Sequence, residues 1–273
     1  MGIREQFDKD GYVTVPGVIS PQRVQEIRKI LFEEFKKEEN SDGVLFDVFC
    51  QRPDVLDTFC TESVTETLKA VLGNNFVLVP DSSAMREKYN QLHTDTTTQE
   101  NLGHLFHKNA DFRMVTVGMY LQDNNEFGGG LYLVPGSHLR PDPIARLRRL
   151  QEDYYKSFMK RALKKLSLGK LFIYNNYEQR GVGRGGIDIP SKAGDLIIFD
   201  MRIIHRASHP TVSDPAPNGG KLAIFSRCSA NNQYAQTYTN FLKAKGGKYN
   251  FLFQERNLEN LKRQGELLGF IAM

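Results

Sequence analysis

Ala193–His205 reads AGDLIIFDMRIIH. Gly194 and Asp195 punctuate the chain as a turn, and the apolar, β-branched run after them predicts a strand that carries His205 at its end into the core. Five more segments share this texture: FVLVP (76–80), SAMREKYNQL (83–92), RMVTVGMYLQD (113–123), LYLVPGS (131–137) and KLAIFSRCS (221–229). They are short and bounded by Gly, Pro, Asn or Asp, and most are rich in Val, Ile, Phe or Tyr. Strands of this length and spacing predict a mainly β fold, a β-sandwich or jelly roll, with helices at its flanks.

Outward from these strands the period changes. GYVTVPGVI (11–19) reads as a short strand; Ser20 and Pro21 then supply an N-cap and a first-turn proline to a helix whose Val24, Ile27, Ile30, Leu31 and Phe35 keep helical spacing. A second helix is expected over 63–72, ending before Gly73. Leu147, Leu150, Tyr154, Phe158, Ala162 and Leu166 recur at three or four residues, which predicts a helical insertion in the β domain. With the loop YNNYEQRGVGRGG it spans about 141–186 and is the expected lid and substrate-selecting region. A closing helix is expected within 250–270.

No repeat, low-complexity tract or linker divides the 273 residues, so one domain over 1–273 is expected. Hydrophobic content of 40% with 25% charged residues is that of a globular chain, and no stretch nears the roughly 18 apolar residues of a membrane span. The N-terminus MGIREQFDKDGYV lacks the apolar centre of a secretory signal, which points to a cytoplasmic protein. Cys50, Cys60 and Cys228 are odd in number and lack CxxC spacing, so they read as reduced thiols. A net charge of +4 is too small to mark a nucleic-acid binder. Arg140–Lys170, however, holds ten basic against three acidic residues, a local +7 that is either a solvated helix face or a surface drawing an anionic substrate.

Two imidazoles and one carboxylate on one side of an Fe(II) ion hold it and leave positions open for dioxygen and substrates. QLHTDTT (91–97) offers His93 and Asp95, which reach one cavity only if the chain twists or bends between them. The pair alone is a weak signal, because a polar turn has the same composition. A third ligand must come from His104, His107, His138, His205 or His209. His205 is best placed, at the end of the apolar strand. His104 and His107 have helical spacing but no nearby carboxylate. His138, after a Pro-Gly turn, reads as a hydrogen-bonded structural residue, and His209, before Pro210, as a loop residue.

Four stretches in order carry a resemblance: FDKDGYVTVPGVISPQRVQEIRKIL (7–31), LHTD (92–95), YLQDNNEFGGGLYLVPGSH (120–138) and AGDLIIFDMRIIHRASHP (193–210). They resemble the opening segment, the HxD pair, the strand-turn-strand ending in PGSH and the distal-histidine segment of the phytanoyl-CoA dioxygenase family of Fe(II)- and 2-oxoglutarate-dependent oxygenases. The likeness covers most of the chain. It implies a double-stranded β-helix, the cupin-like jelly roll, with Fe(II) held by His93, Asp95 and His205. It also implies 2-oxoglutarate and dioxygen as cosubstrates, and oxidation of an unactivated C–H bond of a small molecule with release of succinate and carbon dioxide. Related halogenases have a small residue in place of the carboxylate, so Asp95 favours hydroxylation.

The family places an arginine about ten residues after the distal histidine to grip the far carboxylate of 2-oxoglutarate. Here the matching place falls to Lys221, behind the longer loop TVSDPAPNGG, and Arg227, of the same strand parity, is the competing anchor. Gly128–Gly130 read as shaping the turn beside the metal-bearing sheet. Two other functions compete: a non-catalytic jelly-roll binding or regulatory protein, and a cupin-like metalloenzyme that does not use 2-oxoglutarate.

Overall fold

The turn before the central strand closes as its sequence predicts. Asp195 N donates to Lys192 O at 3.0 Å, and Gly194 sits at φ +95° with the Ile19 carbonyl only 2.4 Å from where a Cβ would stand, so glycine alone fits. The computed structural model describes residues 2–37, 42–147, 181–212 and 220–273. Among these, ten strands form two sheets: β1 (Tyr12–Val15), β2 (Val44–Phe46), β3 (Val77–Arg86), β4 (Met114–Tyr120), β5 (Leu131–Leu133), β6 (Ile187–Asp188), β7 (Leu196–Asp200), β8 (His205–Ala207), β9 (Leu222–Ser229) and β10 (Ile271–Ala272). The major sheet runs β1-β7-β4-β9-β3-β10, with β2 also on β3; the minor sheet runs β6-β5-β8. Apart from the parallel β3–β10 pair, all the pairings are antiparallel.

Both faces of the major sheet are covered, so its central strands are apolar on both parities. On one face, Val115, Val117, Leu196, Ile198, Leu222, Ile224 and Cys228 join Val24, Ile27 and Leu31 of helix Pro21–Glu34 and Val64 and Leu68 of helix Glu62–Leu72 in one core. On the other, Tyr120, Ile197, Phe199 and Ala223 meet Leu131 and Leu133 of the minor sheet. Near the Ser229 end of β9, Val77, Val79 and Met114 pack against Tyr234, Tyr238 and Phe241 of helix Gln233–Lys245. This is the jelly roll with flanking helices that the sequence predicts.

Several boundaries differ. The strand from Gly194 ends at Asp200, whose carbonyl accepts Ile203 N at 3.0 Å while its carboxylate clamps the Arg202 guanidinium at 2.8 and 2.7 Å. The chain turns there and crosses to the minor sheet, so His205 opens β8 rather than closing β7. FVLVP and SAMREKYNQL form a single strand, β3, with a register shift between Val79 and Ser83, where Pro80 cannot donate to the ladder; it ends at Arg86, before Glu87 takes a positive φ. Helix 62–72 begins one residue before the expected 63 because Thr61 caps it, accepting from Val64 N at 3.4 Å. The closing helix is split into a 3-10 segment, Gly247–Phe253, and helix Glu259–Leu268, with Arg256 between them drawn into a bidentate pair with Asp47. Helix Gln233–Lys245 was not signalled by the strand-and-turn reading. Residues 143–147 open the insertion as a helix, and 148–180 lie outside the described residues.

Candidate metal centre

His93 and His205 meet because their backbones exchange hydrogen bonds, His93 N to His205 O at 2.9 Å and His205 N to His93 O at 2.8 Å. This isolated bridge brings their rings to a centroid distance of 4.3 Å. His93 Nδ1 lies 2.6 Å from Gln91 O and His205 Nδ1 lies 3.0 Å from Ile203 O. Carbonyls only accept, so each Nδ1 holds the proton and each Nε2 presents its lone pair. Asp95 Oδ1 stands 3.8 Å from one Nε2 and 3.9 Å from the other. Three ligand atoms thus face one gap, all within 4.8 Å of one another. A divalent cation suits that donor set, and the fixed ring tautomers are the orientation a metal-bound histidine needs.

The bend that HxD requires lies directly after His93. Residues 95 and 96 form a turn into helix Thr97–Asn101, which brings Asp95 back toward the histidines. Thr94 points the other way: its hydroxyl donates to Asp142 Oδ2 at 2.8 Å, and the Thr97 hydroxyl reaches the same oxygen at 3.0 Å. Asp142 Oδ1 accepts from Ile144 N at 2.8 Å, so the start of the insertion is fastened to the motif. The threonines of QLHTDTT therefore hold the loop in shape.

Asp95 Oδ2 accepts from the Thr116 hydroxyl and lies 3.3 Å from Arg227 Nη2. Burial acts to raise the Asp95 pKa, but Arg227, both histidines and Thr116 outweigh it and hold the carboxyl at about 2. Burial first, and then the neighbouring His93, lower His205 to about 4, which keeps it neutral at pH 7. Lys221 and Arg227 both line the pocket around the triad, together with Met85, Asn90, Tyr120, Leu131, Phe199 and Phe225. The Lys221 ammonium donates to Lys88 O and lies 5.1 Å from the Tyr89 ring centre. Among the described residues no carboxylate pairs with it. Burial pushes its pKa down to about 8, against a smaller opposite pull from Glu87.

The other histidines lie apart. His107 Nε2 is 3.3 Å from Glu100 Oε2, a carboxylate that sequence spacing did not associate with it, and the His104 ring meets Phe241 at 5.2 Å. His138 Nε2 donates to Asp8 O at 3.3 Å, as a structural residue would, and His209 is exposed. Thr116 escaped the sequence reading. The single threonine in the run RMVTVGMY was its available signal.

A jelly roll holding two histidines and a carboxylate at the junction of its two sheets defines a mononuclear non-haem metal-site protein. The sequence profile of the phytanoyl-CoA dioxygenase family matches residues 7–214, and the chain belongs to that family. It is accordingly an enzyme of the Fe(II)- and 2-oxoglutarate-dependent oxygenase class. The matched span contains all three triad residues and stops before Lys221 and Arg227. No curated protein matches the sequence. Solved structures that share the fold include EctD from S. alaskensis with bound iron, at 17% identity and a TM-score of 0.53 over 83% of this chain and 75% of that one. HygX from Streptomyces hygroscopicus with iron bound is 14% identical, with a TM-score of 0.55 over 84% and 87%. SnoN, a non-haem α-ketoglutarate-dependent epimerase from nogalamycin biosynthesis, is 15% identical, with a TM-score of 0.52 over 85% and 86%.

Proposed function

We propose that the protein is a dioxygenase that hydroxylates an unactivated C–H bond of a small molecule, using Fe(II), 2-oxoglutarate and dioxygen. The observation that carries this reading is the convergence of His93 Nε2, His205 Nε2 and Asp95 Oδ1 on one gap inside a pocket that also holds a buried lysine with no carboxylate partner among the described residues. The two Nε2 atoms and Oδ1 would bind the metal. Lys221 would take the distal carboxylate of 2-oxoglutarate, exchanging its weak carbonyl contact for a charge-assisted one. Phe199, Phe225, Leu131 and Met85 line the pocket and limit water at the reacting carbon. Bound iron, with its two cosubstrates, supplies the oxidising power, and succinate and carbon dioxide are the co-products. Asp95 occupies the position that a halide takes in related halogenases, which favours hydroxylation. The local +7 of Arg140–Lys170 favours an anionic substrate.

The test is succinate release by the full-length protein with Fe(II), ascorbate and 2-oxoglutarate, followed by a substrate panel read by a product mass one oxygen heavier. Wild type is expected to release succinate, faster with substrate, and His93→Ala and His205→Ala to fall to background. No succinate under any condition would favour a binding protein, and product without succinate a metalloenzyme independent of 2-oxoglutarate.

A further inference from the structure

Lys221 and Arg227 face the same pocket but not the same group. They lie six residues apart along extended strand, roughly 20 Å between Cα atoms, and their partners differ: the Lys221 ammonium meets Lys88 O and the Tyr89 ring, whereas Arg227 Nη2 lies 3.3 Å from Asp95 Oδ2. Arg227 is committed at the metal end. It is the direct cross-strand partner of Thr116 between β9 and β4, and the two side chains meet the same oxygen, Asp95 Oδ2. The other carboxylate oxygen, Oδ1, is the one that faces both histidines.

We propose that Arg227 is a positioning residue for the metal centre: together with Thr116 it occupies Asp95 Oδ2, so that Asp95 enters the gap between His93 and His205 through Oδ1 alone. The inference rests on the metal-site part of the function proposed above. An unrestrained carboxylate can rotate and offer both oxygens, taking a metal position that a cosubstrate needs. A buried carboxylate also requires a counter-charge before any metal arrives, and Arg227 supplies it. The planar guanidinium fixes a direction as well as a charge, which an ammonium cannot do. Arg227 Nε has no partner among the described residues and Nη1 has only a 3.4 Å contact with the carbonyl of the adjacent Ser226, so the ion pair with Asp95 is its closer polar contact.

Titration of metal-stripped full-length protein with Co(II), followed by calorimetry and by the visible absorption of the bound ion, tests this without turnover. Arg227→Gln is expected to weaken Co(II) binding roughly 10–100-fold, as loss of a group orienting a metal ligand does, and to change the absorption spectrum. Arg227→Lys should recover part of the affinity but not the spectrum. Thr116→Val, which leaves every charge in place, should weaken binding about tenfold. Lys221→Gln should keep the wild-type Co(II) dissociation constant and lose affinity for 2-oxoglutarate on the Co(II)-loaded protein. Should Arg227→Gln fail to fold, the lysine and Thr116 variants carry the test. Wild-type Co(II) affinity and spectrum in the folded Arg227 and Thr116 variants overturn the proposal, as does loss of 2-oxoglutarate binding alone in Arg227→Gln. Wild-type protein that does not bind Co(II) overturns both this proposal and the metal site, whereas Co(II) binding without succinate release overturns only the oxygenase reaction.

Discussion

At Lys221 a buried ammonium is held by one backbone carbonyl and an aromatic face, and its pKa is pushed down to about 8 by burial. Its charge is therefore present below pH 8 and lost above it. 2-Oxoglutarate is a dianion throughout this range, so its KM is expected to rise above pH 8, by up to about tenfold per pH unit, while Lys221→Arg keeps KM flat to pH 9. Steady-state kinetics at pH 7, 8 and 9 decide this, and a flat wild-type profile rejects Lys221 as the anchor. The sequence offered Lys221 and Arg227 as alternatives because strand parity places both inward. It did not show that one lies against Asp95. That relation depends on the β4–β9 register, which pairs residues far apart in the chain.

Among the elements, the minor sheet is held at one end by a single buried polar side chain. Asn124 donates from Nδ2 to Ile189 O at 2.8 Å and accepts Gly130 N at 2.8 Å and the Ser208 hydroxyl on Oδ1, so one buried amide ties the start of β5 to the segments after β6 and β8. Beside it, Gly129 has φ +70°, and a Cβ there would meet the Lys221 side chain at 2.8 Å, so the glycine run admits the lysine stem as well as making a turn. Asn124→Leu should lower the free energy of unfolding by about 2–4 kcal/mol, because it leaves buried donors and acceptors unpaired. Denaturant unfolding measures it, and a loss under about 1 kcal/mol would mean that the network relaxes around the leucine. The apolar, β-branched runs between turn residues marked the strands β4, β5, β7 and β9 because both faces of these strands are covered. The sequence could not place the turn at 201–204, since MRII is as apolar as the strand before it; the Arg202–Asp200 clamp ends the strand there.

Across the whole molecule, the helical layer reaches through to the site. Arg28 of helix Pro21–Glu34 donates from Nη1 to Leu121 O at 2.7 Å and from Nη2 to Gly220 O at 3.4 Å, holding the end of β4 beside the residue that precedes Lys221. Arg28→Met is expected to cost about 2–3 kcal/mol of stability and to raise the KM for 2-oxoglutarate several-fold while leaving Co(II) binding as in wild type. Thermal unfolding, calorimetry and kinetics on that one variant check all three, and an unchanged KM would uncouple the helix from the cosubstrate site. By itself the sequence determined the β class, the capped helix at Ser20, the HxD pair and the distal histidine, because local patterning and motif order are properties of a chain read in one dimension. Only the tertiary structure decided that His93 and His205 are bridge partners, that Asp95 turns one oxygen to them and the other to Thr116 and Arg227, and that Lys221 stays without a carboxylate partner among the described residues. Those facts follow from sheet register and burial, which are set by pairings between segments that no local pattern relates.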